Sequence, residues 1–178
     1  MRDYRSEVLA GVGRSLASVP EDSLTALIEA VGSAGRVFVT GAGRSLLFVK
    51  SLAMALMQIG RSVYATGEVA TPAIGPGDLL VVATSSGTTK SVLLFVEQAR
   101  DQGALIVAIT GNPASPVGEL ADLVVVMGDG TDAGLPGWQT GSFFELALGP
   151  LGDVIVEEVA SRQGATRDTV SAHHANLE

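Results

Sequence analysis

Thr84, Ser85, Ser86, Gly87, Thr88 and Thr89 set five hydroxyls around one glycine within six residues. Glycine lets a backbone approach a ligand closely, while hydroxyls and the unpaired N–H groups of a helix start donate to anionic oxygen. The chemistry this suits is the cradling of a phosphate. The same residue types also make ordinary turns and helix caps, but a cap needs one hydroxyl. A second loop, Gly41-Ala42-Gly43-Arg44-Ser45, repeats the theme, with Arg44 and Ser45 as a charge and a hydroxyl for the same anion. In the plainer reading they are a solvated arginine and a cap. The glycine pair also suggests a dinucleotide fingerprint, G-x-G-x-x-G, with Glu68 as the ribose-binding acid. Leu46 stands where the third Gly or Ala is needed, which weakens that reading.

The two loops need strands before them and helices after them. Arg36 to Thr40 is a short apolar run ahead of the first loop, and Leu79 to Ala83 is another ahead of the second. Ser62–Thr66, Leu105–Ile109 and Leu123–Met127 read as three more strands. Apolar periodicity predicts helices from Leu46 to Ile59, from about Thr88 to Gln102, and briefly near Val117–Ala121. A long helix is expected from about Gly141 to Arg162, kinked or restarted at Gly149–Pro150. Two helices fill the chain before the first strand, and a short helix or arm closes it after Ala165. The glycine-rich stretch Gly128–Thr140, with the only Trp, reads as a functional loop. Strands alternating with helices predict an α/β fold, a five-stranded parallel sheet flanked by helices and wound in both directions. Ligands bind such sheets outside the carboxyl ends of the strands, so the two loops are expected to converge. No repeat or linker divides the chain, and 1–178 reads as a single domain.

Composition narrows the partners. Hydrophobic residues make up 47% of the chain and aromatic ones only 4%, so the core is aliphatic and has surface to spare for other subunits. The net charge of −8 disfavours nucleic acid, and an anionic ligand must therefore be held by local donors. Cysteine is absent, which excludes thiol chemistry and fits a reducing cytoplasm. No run is long enough to span a membrane, and the amino terminus has no apolar signal core. Two adjacent histidines near the carboxyl end are a poor basis for a metal site, and no cofactor is expected.

With both loops identified, the chain resembles the sugar isomerase (SIS) domains, three-layer flavodoxin-like folds that hold phosphosugars. Within them it resembles the 6-phospho-3-hexuloisomerases over nearly its whole length. The resemblance is carried by TGAGRS at Thr40–Ser45, AMALM at Ala53–Met57, and GE-x-x-TPAI-x-x-GDLL from Gly67 to Leu80. It extends to the hydroxyl loop with Lys90-Ser91-Val92, GS-x-FE at Gly141–Glu145, and HANLE from His174. The family's loop S-G-S-G-E-T falls on Thr84–Thr89, where Thr88 replaces a glutamate. Pro150 interrupts a helix expected to be unbroken in the family.

The resemblance implies interconversion of D-arabino-hex-3-ulose 6-phosphate and D-fructose 6-phosphate, a step of the ribulose monophosphate route of formaldehyde fixation or detoxification. It implies Glu145 as the base and His174 as a shuttle for hydroxyl protons, in its own or a neighbouring subunit. Gly43, Arg44, Ser45, Glu68 and the residues from Thr84 to Thr89 are then the substrate-binding set. A homotetramer and pairing with a 3-hexulose-6-phosphate synthase are implied as well. Position alone would make Glu145 a first-turn acid favoured by the helix dipole and His174 a tail residue. Two other functions stay open: an isomerase acting on an aldose phosphate, and a non-catalytic phosphosugar sensor. Sensors of this kind usually carry a DNA-binding domain, and none fits in the 35 residues before the first strand.

Overall fold

The computed structural model describes residues 3–128 and 143–176. Five strands form one parallel sheet in the order β2-β1-β3-β4-β5. They are β1 (Val37–Gly41), β2 (Val63–Ala65), β3 (Leu79–Thr84), β4 (Leu105–Thr110) and β5 (Leu123–Val126). All five predicted strands are present, within a residue or two of their expected ends. β3 lies at the centre with all six residues buried, which is why its sequence reads as a continuous apolar run.

Alternation along the strands divides the core between two faces. Val37, Val39, Leu79, Val81, Val107 and Ile109 face α2 (Glu21–Ser33), α3 (Arg44–Gln58) and α6 (Phe143–Gln163). Phe38, Leu80, Val82, Ile106 and Ala108 face α4 (Lys90–Asp101) and α5 (Pro116–Leu120). α1 (Tyr4–Ala17) packs on α6. Gly11 makes that approach possible, because a Cβ there would lie 2.4 Å from the Phe143 ring. Arg61 donates to Val31 O and Ala34 O and so closes the carboxyl end of α2.

Of the kink or restart expected at Gly149–Pro150, the restart does not occur. α6 is one uninterrupted helix of 21 residues. Pro150 is exposed, so the carbonyl it deprives of a partner can turn to water, while Ala147, Leu148, Leu151 and Ile155 are buried and anchor the helix to the core on both sides of it. α6 also runs alongside α3, with Gly149 against Phe48 and Gly152 against Leu52. The functional loop expected at Gly128–Thr140 lies outside the described residues except for Gly128, as do Gly141 and Ser142.

Between β2 and β3 the chain returns without a helix. A cavity of about 380 Å³ remains there, between that return segment and α4, lined by Phe38, Thr71, Pro72, Ile74 and Phe95 among others. It is apolar and includes no residue of the hydroxyl loop.

Candidate active site

The two loops meet where the winding of the sheet reverses. β1 and β3 are neighbours in parallel register, with Gly41 opposite Ala83. After β1 the chain turns to the face of α3, and after β3 it turns to the opposite face with α4. A crevice therefore opens between the loops at the carboxyl edge of the sheet. Its floor is tight, since a Cβ on Gly41 would stand 3.0 Å from Ala83 O and 3.1 Å from Leu46 N.

Neither helix that leaves this crevice is capped by its own hydroxyls. Gly43 caps α3 and has no side chain to offer. Thr89 caps α4, yet its hydroxyl makes no capping bond. The ordinary-cap reading therefore fails at Thr89. Both helices start at this edge, and the N–H groups left over at a helix start are natural donors to an anion. Ser45 is buried in the first turn of α3, while Ser86 and Thr88 are exposed and Ser85 and Thr89 half-buried.

The hydroxyl loop is shaped from within and braced from the side. Thr84 lies buried beneath it, and its Oγ1 accepts from the Gly87 N–H at 3.2 Å. The Thr88 hydroxyl donates to Ser86 Oγ at 3.1 Å. Gly87 takes a φ of 66°, and a Cβ there would fall 1.8 Å from Ser115 Oγ. Only glycine satisfies both conditions. The end of β4 and the segment after it supply the brace. The Gly111 N–H donates to Ser85 O at 3.1 Å, the Thr110 hydroxyl to the same oxygen at 3.3 Å, and the Val117 N–H to Gly87 O at 3.2 Å. The sequence reads as a strand at Leu105–Ile109 and carries no signal that the Thr110-Gly111-Asn112-Pro113 turn after it is a buttress.

Charge is arranged around the rim. Arg44 Nη2 donates to Glu145 Oε2 at 3.2 Å, joining the starts of α3 and α6 across 101 residues. Glu145 is 18% exposed and Arg44 34%, so the pair is sheltered but reachable. Glu145 is thus brought to the loop of β1, and the arginine assigned to phosphate stands on the candidate base. Glu68 lies farther out, after β2, where Lys50 Nζ donates to Oε1 at 2.8 Å. Lys50 gave no sequence signal, because it sits among apolar residues of a helix that reads as core. The Thr66 hydroxyl donates to Thr40 Oγ1 at 2.8 Å and ties the ends of β1 and β2 beside this rim.

His174 is not part of this group within one chain. α3 starts at the carboxyl edge and runs about 22 Å, at 1.5 Å per residue, to the amino edge. α7 (Arg167–His173) packs against its far end, with the His173 ring 3.6 Å from a Cβ built on Gly60. His174 follows α7, exposed, with Nδ1 3.0 Å from Ala175 O. Glu145 and His174 of one chain thus belong to opposite edges.

A different ion pair lies at the amino edge. Arg36 holds Asp78 through Nε at 2.8 Å and Nη2 at 2.5 Å, and the Gly75 N–H adds a bond at 2.8 Å. These donors, the guanidinium first, hold the Asp78 carboxyl below the usual carboxylate range against the opposing effect of burial. This pair staples β1 to β3 and takes no part in the crevice.

The SIS domain family matches residues 32–143. A 3-hexulose-6-phosphate isomerase of Methylomonas aminofaciens is 37% identical over the whole of both chains. The enzyme of that name from Bacillus subtilis is 34% identical over 99% of this chain and 98% of its own. A solved structure from Methanococcus jannaschii, from which a 3-hexulose-6-phosphate isomerase function was inferred, superimposes with a TM-score of 0.81 at 27% identity. That match covers 98% of this chain and 97% of the other. The chain belongs to the SIS domain family and, within it, to the group of the 3-hexulose-6-phosphate isomerases.

Proposed function

We propose that the protein interconverts D-arabino-hex-3-ulose 6-phosphate and D-fructose 6-phosphate. The observation that carries the reading is Glu145, held by Arg44 at the rim of a crevice lined with hydroxyls and helix N-termini, in a chain related to these isomerases over its full length. The phosphate occupies the crevice, met by Ser45, Ser86, Thr88 and Thr89, with Thr84 holding the Gly87 N–H and shaping the turn from below. The sugar carbons extend toward α6. Glu145 takes the C2 proton of the 3-ketose, a cis-enediol forms across C2 and C3, and the proton returns at C3 as the C2 hydroxyl becomes the carbonyl. A carboxylate suits this shuttling because it is ionised at neutral pH and returns what it takes. Arg44 fixes its direction.

The hydroxyl protons must also move, and His174 is the group for that. Its place at the amino edge makes a second copy the donor. Leu47 and Met54 on α3 and Val154 on α6 form an exposed apolar strip along two parallel helices. Two copies meeting there antiparallel would set the α7 end of one beside the Arg44–Glu145 end of the other. A homo-oligomer, a tetramer by the resemblance, is part of the same proposal, as are a cytoplasmic setting and a synthase that supplies the 3-hexulose phosphate. None of the described helices is long and apolar enough to cross a membrane.

The test is a coupled assay in which a synthase, ribulose 5-phosphate and formaldehyde generate the substrate and fructose 6-phosphate is read out. Appearance of fructose 6-phosphate supports the reading. Turnover of an aldose phosphate alone would move the protein to another isomerase class, and binding without turnover would make it a sensor.

A further inference from the structure

Lys90 opens α4, immediately after Thr89. The amino end of a helix carries partial positive charge, so a cation in the first turn is misplaced unless an anion stands in front of it. Helical side chains lean toward the N-terminus, and the hydroxyl loop lies on that side of Lys90, within reach of a four-carbon stem. Lys90 is exposed and has no hydrogen-bond or ion-pair partner among the described residues.

The other cations near the crevice are engaged. Arg44 faces Glu145 and Lys50 faces Glu68. Arg100, at the far end of α4, donates to Leu120 O, and Arg36 is held by Asp78 at the amino edge. A phosphate monoester brings nearly two negative charges into a chain whose own net charge is −8. Hydroxyls and N–H groups hold its oxygens but supply no formal charge. No carboxylate stands within Thr84–Thr89 to compete for a cation.

We infer that Lys90 is the counter-cation of the bound phosphate, its ammonium closing over the anion held between Ser86 and Thr89. The inference rests on the phosphosugar reading and adds to it a charged binding residue. It also accounts for how an acidic chain draws in an acidic substrate: attraction is confined to one point at the crevice.

Calorimetry with fructose 6-phosphate and with inorganic phosphate tests it on the wild type, Lys90→Ala and Lys90→Arg. Loss of a charge-assisted bond should weaken both ligands about tenfold in Lys90→Ala, with Lys90→Arg recovering most of the affinity. Added salt should weaken the wild type more steeply than Lys90→Ala. In turnover the defect should fall on KM far more than on kcat. Equal affinity of wild type and Lys90→Ala for both ligands overturns the inference. A wild type that binds neither ligand overturns it together with the phosphate reading. A wild type that binds fructose 6-phosphate, is weakened by Lys90→Ala and yet makes no product from the 3-hexulose phosphate would sink the proposed reaction while upholding Lys90.

Discussion

At the scale of single residues, the proposed reaction rests on the carboxylate of Glu145 and its guanidinium partner Arg44. Glu145→Gln keeps shape and hydrogen bonding but removes the base, and turnover should drop about 10²–10⁴-fold. Exchange of the substrate's C2 proton with heavy water is the decisive measurement. Exchange at the wild-type rate in Glu145→Gln would place the base elsewhere, with Glu68 next to be tested. Arg44→Lys keeps the charge but loses the planar fork that fixes the carboxylate's direction, so it should lower kcat more than it raises KM. At the amino edge, Asp78 gives a second residue-scale prediction. Its carboxyl is held below the ordinary range in the folded state, so its contribution is complete above the unfolded value of about 3.9 and is lost as pH falls through the folded value. Thermal melts should therefore show wild-type stability declining in acid below about pH 4, and Asp78→Asn should lower stability at neutral pH and flatten that decline.

At the scale of elements, glycines decide how closely the pieces approach. Gly87→Ala meets Ser115 Oγ and must also adopt a positive φ, which by itself costs about 1–2 kcal/mol. Phosphate affinity should collapse in this variant before the global melting temperature does, because the strain is confined to one loop. Gly11→Ala acts at a distance from the ligand: its Cβ enters the Phe143 ring and pushes α1 from the first turn of α6, which carries Glu145. A fall in kcat with little change in phosphate binding is the outcome expected from kinetics and calorimetry together. These elements also mark how far the sequence was legible. Apolar runs such as Leu79–Ala83 announced the strands, and hydroxyls and glycines at the ends of two of them announced the crevice, because both signals are local. The Arg44–Glu145 bond joins residues 101 apart, and nothing local records it. The edge at which His174 lies depends on how α7 packs against α3, which the tail's own residues do not encode. Pro150 misled for a related reason, since helix propensity ignores the burial of Ala147 and Leu151 on either side of it.

At the scale of the whole molecule, the proposed proton-shuttle role of His174, which lies at the edge opposite Glu145, predicts a site shared between two copies. Glu145→Gln and His174→Ala, each impaired alone, should regain activity when unfolded together and refolded as mixed oligomers, because some sites then receive both wild-type groups. Absence of any recovery, or light scattering that reports a particle of about one chain's mass at micromolar concentration, would place His174 outside the mechanism. The buttress under the hydroxyl loop has a consequence of another kind. Four polar contacts from the end of β4 and the segment after it, the Asn112 side-chain amide to Ser86 O included, together with the packing of Gly87 on Ser115, hold the loop before any ligand arrives. Binding then orders little backbone, and the entropy of folding a loop is not charged against affinity. In hydrogen–deuterium exchange, the amides of Gly87, Gly111 and Val117 should be slow in the free protein and barely slower with phosphosugar present. The crevice is a rigid mould whose association rate is set by diffusion and charge, with no folding step between encounter and capture.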